Sequence, residues 1–145
     1  MVDEVQRLLH YIAEHYTGLE EAKDVERSAA AETAEEIIAG QRRVMRKERA
    51  LADRLSRPFQ RGLHRAYAAY RAGGNAISLD DRDPEENQIA EALIHFLVGP
   101  GLAHSTTRET EPMHYTYIIT INWARLAALA HEANIDLDAL LKSTT

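Results

Sequence analysis

The chain of 145 residues contains no cysteine. That excludes disulfides, thiolate nucleophiles and cysteine-based zinc sites, and it fits a cytoplasmic setting. No apolar run approaches the roughly 20 residues needed to span a bilayer, so no membrane contact is expected. The opening residues Met1-Val2-Asp3-Glu4-Val5 lack the basic segment and apolar stretch of a signal peptide. Chemical motifs are missing too. There is no glycine-rich phosphate loop, GxSxG elbow, HExxH pair or Cys–His pair, and no enzymatic activity or cofactor is expected. Seven histidines are scattered. His10 and His15 lie five apart, and His104 and His114 are candidates to face each other across a hairpin, but no carboxylate repeats at ligand spacing, so no metal is expected. Aromatics are only 6% of residues. Tyr67 and Tyr70 have faces that stack on bases, but their spacing assigns them to the core, with Trp123 as an anchor.

What is present is charge, unevenly placed. Net charge is -6, yet ten of the 17 Lys and Arg residues fall between 42 and 71: Arg42, Arg43, Arg46, Lys47, Arg49, Arg54, Arg57, Arg61, Arg65 and Arg71. Only Glu48 and Asp53 oppose them, leaving a local charge of about +8. Local field, more than isoelectric point, governs attraction of a polyanion.

Periodicity orders the rest. Val5, Leu8, Leu9, Ile12 and Tyr16 predict an amphipathic helix over 3–16, ended by Thr17-Gly18 with Gly18 left-handed. Residues 19–36 are acidic and helix-prone, with a thin stripe of Leu19, Ala22, Val25 and Ala29. From Ile37, apolar residues (Val44, Leu51, Leu55, Phe59, Leu63, Ala66, Tyr70) fall on one arc and the cations on the opposite one. Glu48 is the misfit on the apolar side. Pro58 implies a break, with Ser56 capping a second helix that stops at Gly73-Gly74, although one bent helix over 37–72 also fits. A short strand at 76–79 precedes an acidic turn. Asp83 and Pro84 then start a helix over 84–98, which Gly99-Pro100-Gly101 ends. A hairpin follows, from Leu102–Thr107 and His114–Trp123 around a loop with Arg108, Glu109, Glu111 and Pro112. Trp123, Leu126, Leu129 and Ala130 resume helical spacing, and Asp136 caps a last turn.

The stretch from Phe59 to Trp123 resembles a winged-helix domain. The residues that carry the likeness are Leu63 to Gly74, Ala76-Ile77-Ser78-Leu79, Ala92-Leu93-Ile94-His95-Phe96-Leu97, Gly101-Leu102, and Tyr115-Thr116-Tyr117-Ile118-Ile119-Thr120. The resemblance implies a fold that is mainly α with one β-hairpin: a helical arm for oligomerisation over 1–55, then a winged-helix-like domain over 56–145. It also implies DNA binding. The chain departs from the pattern in having room for one helix, not two, between the first strand and the hairpin. It also places Asp80, Asp81, Asp83, Glu85 and Glu86 at the helix end that in the family enters the major groove.

The expected function is therefore a nucleic-acid-binding protein, DNA before RNA, acting as a transcriptional regulator and a homodimer. Phosphate contacts are assigned to Arg42, Arg43, Arg46, Lys47, Arg49, Arg54, Arg57, Arg61 and Arg65. Arg108, with Asn87, Gln88 and His95 of the helix over 84–98, supplies base or groove contacts. Val5, Leu8, Leu9 and Ile12, with the stripe from Ile37 to Leu55, offer an apolar face for self-association. The alternative is a non-enzymatic assembly subunit whose basic face pairs with acidic protein, including its own segments 19–36 and 80–86.

Overall fold

The structure, a computed structural model, describes residues 3–28 and 33–142. Ala29 of the thin acidic-segment stripe lies outside them. Helix α1 (Glu4–Ile12) starts in a capping box: Gln6 N–H donates to Asp3 Oδ1 at 2.8 Å, and Asp3 N–H to Gln6 Oε1 at 3.4 Å. The chain does not stop at Thr17-Gly18. It widens into one π-helical turn (Ala13–Thr17), closed by Gly18 N–H to Ala13 O, and continues as α2 (Gly18–Ser28). Gly18 is right-handed, at φ -67. Its role is space: a Cβ there would strike Ala13 O and lie 2.8 Å from Met45 Sδ.

Helix α3 (Ala34–Arg54) is capped by Thr33 and lies against α2, with Gln41 Nε2 donating to Ala22 O at 3.3 Å. It breaks at Leu55 (φ -96, ψ 5), and α4 (Ser56–Arg71) begins at once, so 37–72 forms two helices. Pro58 sits in the first turn of α4, where its missing N–H would have had no intrahelical partner. Ser56 is not the expected cap; its hydroxyl donates back to Asp53 O at 3.1 Å. Gly73, at φ 91, ends α4.

Strand β1 (Ile77–Asp80) leads to α5 (Pro84–Leu93), whose first N–H groups at Glu85 and Glu86 donate to Asp83 Oδ1 at 2.9 and 3.3 Å. A second π-helical turn (Ile94–Val98) ends it, with Gly99 N–H donating to Ile94 O at 2.9 Å. Strand β2 (Ala103–Glu111) runs further than the pattern predicts, while β3 (His114–Ile121) ends two residues short of Trp123, leaving Pro112 and Met113 as the tip, Met113 at φ 71. Arg108 therefore lies within a strand, opposite Thr116, rather than in a loop. His104 opposes Thr120 and His114 pairs with Glu111, so these two histidines do not face each other. β1 joins the hairpin through β3, giving a three-stranded antiparallel sheet in the order β1-β3-β2. Helix α6 (Trp123–Glu132) and helix α7 (Leu137–Lys142), capped by Asp136, close the chain.

One apolar cluster runs through these elements. Leu8, Leu9 and Ile12 of α1 meet Leu55, Phe59, Leu63, Leu93 and Phe96, all at 1% exposure or less. Phe59 and Phe96 pack edge to face at 6.3 Å. Each such side chain contributes about 1.5–3 kcal/mol. The face of α1 assigned to self-association is thus spent inside its own fold. Trp123 is half-buried, with the rings of Tyr67 and Tyr70 each 5.8 Å away. Among the described residues no helix is long and apolar enough to cross a membrane.

Candidate nucleic-acid interface

The cations stand on α3 and α4 because the opposite sides of those helices are packed. On α3, Ala52 and Glu48 point inward, and Val44 and Leu51 are half-buried. Gly40 admits Val25 of α2 at 3.0 Å from where a Cβ would be, so α2 occupies that flank closely. What remains outward is Arg42, Arg43, Arg46, Lys47 and Arg49, all exposed. Arg42, Arg43, Arg46 and Arg49 line a groove of about 760 Å³ together with Ile38 and Met45. Arg49 is held by the Glu14 carboxylate, while Arg42, Arg43 and Arg46 have no carboxylate partner among the described residues.

On α4 and its approach, pairing is more advanced. Arg54 bonds Glu91 at 2.9 Å and Arg61 bonds Glu85 at 3.2 Å. Both pairs are exposed, so each is worth little to stability, but the carboxylates offset part of the local cationic field. Arg57 and Arg65 have no carboxylate partner among the described residues and line a second groove, about 720 Å³, with Arg61 and His64 and with the acids Asp3 and Glu85. Arg71 lies over the Tyr67 ring at 5.9 Å. The break at Leu55 thus falls between two cationic grooves on what the helical wheel drew as one continuous face.

The acidic neighbours are partly self-contained. On α2, Lys23 pairs with Glu20 and Arg27 with Asp24, each three residues apart. Near the hairpin, Arg82 bonds Asp80 at 2.9 Å and Glu111 at 2.9 Å. The hydrogen bonds from Arg82 hold the Asp80 carboxyl below its ordinary range. Arg82 thereby pairs Glu111, one of the two acids near Arg108 on β2. Arg108 is exposed and has no carboxylate partner among the described residues. Asn87 and Gln88 are exposed on α5, beside Glu85 and Glu91.

His95 is only half-exposed. It turns into a polar cluster that sequence reasoning missed. Glu48 is 1% exposed; its Oε2 accepts from Thr17 Oγ1 at 2.8 Å and meets His95 Nε2 at 2.9 Å. Its Oε1 is buried and, among the described residues, has no hydrogen-bond partner of ordinary geometry. Glu21 is the next neighbour. Burial pushes Glu48 up, but the hydrogen bonds to His95 and Thr17, with Glu21 adjacent, outweigh it and hold the carboxyl below its ordinary value. His95 is raised by its bond to Glu48, against a smaller opposing effect of burial. Glu21 is raised by burial and by the adjacent Glu48. The signal in the sequence was Glu48 itself, the lone acid on the apolar arc. Its partners, from three other elements, leave no mark in local spacing.

No family model, curated protein or solved structure matches the chain significantly.

Proposed function

We propose that this protein binds nucleic acid, DNA before RNA, as a homodimeric transcriptional regulator that grips phosphates with the outward side of α3. The carrying observation is that Arg42, Arg43 and Arg46 are exposed on consecutive turns with no carboxylate partner among the described residues. From Arg42 to Arg46 the helix rises about 6 Å, so these side chains reach several phosphates of a duplex carrying one charge per roughly 1.7 Å of axis. Arg57 and Arg65 extend the contact, and Lys47 adds its charge next to Arg46 on α3. Arg49, Arg54 and Arg61 contribute only after exchanging a carboxylate for a phosphate. Arg108 on the hairpin supplies a further contact.

The order α4, β1, α5 and hairpin, with β1 joined to β3, supports the winged-helix-like reading. The start of α5 presents Asp83, Glu85 and Glu86, which repel phosphate, so α5 is not the element that enters a groove here. Binding is therefore dominated by backbone contact and weak in sequence preference. The test is charge reversal at Arg42 and Arg46 to Glu. Loss of binding to duplexes of unrelated sequence, with melting temperature unchanged, supports the proposal; undiminished binding rejects it.

A second reading is an assembly subunit. Ile38, 47% exposed, lies in the same groove as the free arginines, which suits an acidic amphipathic helix of a protein partner. Assembly that persists in charge-reversed protein without nucleic-acid affinity favours this reading.

A further inference from the structure

The groove of about 760 Å³ along α3 has an apolar seam as well as its arginines. Ile38, Ala39 and Met45 line it, and Ile38 is 47% exposed, a large apolar side chain that the fold leaves facing water. Positions 38, 42, 45 and 49 step by four, three and four, so they share one helix face. At about 100° per residue, Ile38 and Met45 fall about 20° apart, and Arg49, Arg42 and Arg46 follow on one side within about 80° of Ile38. Met45 is held in place by close approach to Gly18, where a Cβ would lie 2.8 Å from its Sδ.

The acid in this groove is already committed. Glu14 holds Arg49, and no other carboxylate among the described residues lines the groove. Gln41 donates to Ala22 O. Arg42, Arg43 and Arg46 stay exposed with no carboxylate partner among the described residues. Such a lining repels a cation. A small inorganic anion pairs with the guanidiniums but leaves Ile38 and Met45 wet, and a phosphate backbone, which contacts charge, has the same defect. A neutral apolar molecule covers the seam and offers the guanidiniums nothing. A molecule with an anionic head and an apolar body satisfies both. The planar guanidinium forks match phosphate, a head with several acceptor oxygens.

We propose that this groove binds a free, single-chain amphiphile with a phosphate head. The head accepts hydrogen bonds from Arg42 and Arg46, and the chain lies over Ile38 and Met45, which are about 10 Å apart along the axis. Because the same arginines are the phosphate contacts of the proposed function, the bound amphiphile displaces nucleic acid. That consequence rests on the nucleic-acid reading; the site itself does not.

Calorimetric titration of the full chain with octyl phosphate, methyl phosphate and octanol reads the site directly, at matched ionic strength and below micelle formation. Octyl phosphate is expected to bind saturably, and about tenfold or more tighter than either methyl phosphate or octanol. Ile38→Ser changes an exposed, uncharged side chain. It is expected to weaken octyl phosphate by on the order of tenfold and to leave duplex affinity unchanged. Equal binding of methyl phosphate, equal binding of octanol, or unaltered octyl phosphate affinity in Ile38→Ser overturns the proposal. Recruitment to phosphatidylglycerol vesicles without binding of octyl phosphate also overturns it, and makes the surface a membrane contact. In a displacement assay, octyl phosphate is expected to release duplex DNA from the natural chain; duplex binding that persists at saturating octyl phosphate overturns the displacement. A chain that binds octyl phosphate but no duplex sinks the nucleic-acid reading and supports this site.

Discussion

At the scale of single residues, the dominant fact is that Glu48 is buried as a charge and its neighbours make that tolerable. Thr17 donates to it and His95 shares its other side, so neither group is free to change alone. Thr17→Val keeps shape but removes the donor. It should cost about 1.5–3 kcal/mol, measured by urea unfolding, because a buried carboxylate loses a hydrogen bond. The pH dependence follows from the same group. His95 faces Glu48 of α3, Glu21 of α2 and Glu91 of α5. Its folded value is raised, so the stability it contributes is full below the ordinary imidazole value near 6.5 and is lost as pH rises through the folded value. Glu21, also raised, acts in the same direction and at lower pH. Glu48 is lowered, so its contribution is full above the ordinary carboxylate value and is lost as pH falls through the folded one. Melting temperature should therefore decline as pH rises above the ordinary imidazole value near 6.5, and His95→Gln should flatten that decline while lowering stability at the acid end. An unchanged slope in His95→Gln would show that the pair does not carry the effect.

At the scale of elements, close approach and pinning decide what the helices and hairpin can do. Gly18 lets α2 leave the π-helical turn directly against α3. Gly18→Ala gains the helix propensity of alanine, about 1 kcal/mol, but forces a contact with the Ala13 carbonyl. The net outcome should be a loss of about 1–2 kcal/mol in denaturant unfolding. The hairpin is held to the turn after β1 by Arg82, which spans Asp80 and Glu111. Arg82→Ala should raise amide exchange in β2 and β3 near Glu111 and leave the α1 core unaffected. Much of this layout was legible from the chain. Asp83-Pro84 and Gly73-Gly74 punctuate helices through local chemistry, and Tyr117, Ile119 and Ile121 announce a half-buried strand through alternation. The π-helical turns were not legible, because Ala13–Thr17 and Ile94–Val98 keep ordinary helical composition and differ only in which carbonyl each N–H reaches. Gly18 misled for the same reason: φ > 0 and close packing both select glycine, and only the neighbouring Met45 distinguishes them. On the interface, the exposure of Arg42, Arg43 and Arg46 followed from the helical wheel, whereas the pairing of Arg49, Arg54 and Arg61 depended on carboxylates from the first π-helical turn and α5 that the wheel does not contain.

At the scale of the whole molecule, an overall negative charge and a local cationic flank coexist because the acids are spent elsewhere. Asp80 and Glu111 hold Arg82, Glu20 and Asp24 pair within α2, and Glu48 is buried. The flank on α3 keeps its field, and field is what a phosphate backbone responds to. The most direct measurement is the salt dependence of affinity for duplex DNA, comparing the natural chain with Arg42→Ala/Arg43→Ala/Arg46→Ala. Each phosphate contact adds about 0.9 to the slope of log affinity against log salt. The account predicts that the triple variant binds more weakly across unrelated sequences and that its slope falls by about two to three units. A slope equal to that of the natural chain would contradict it.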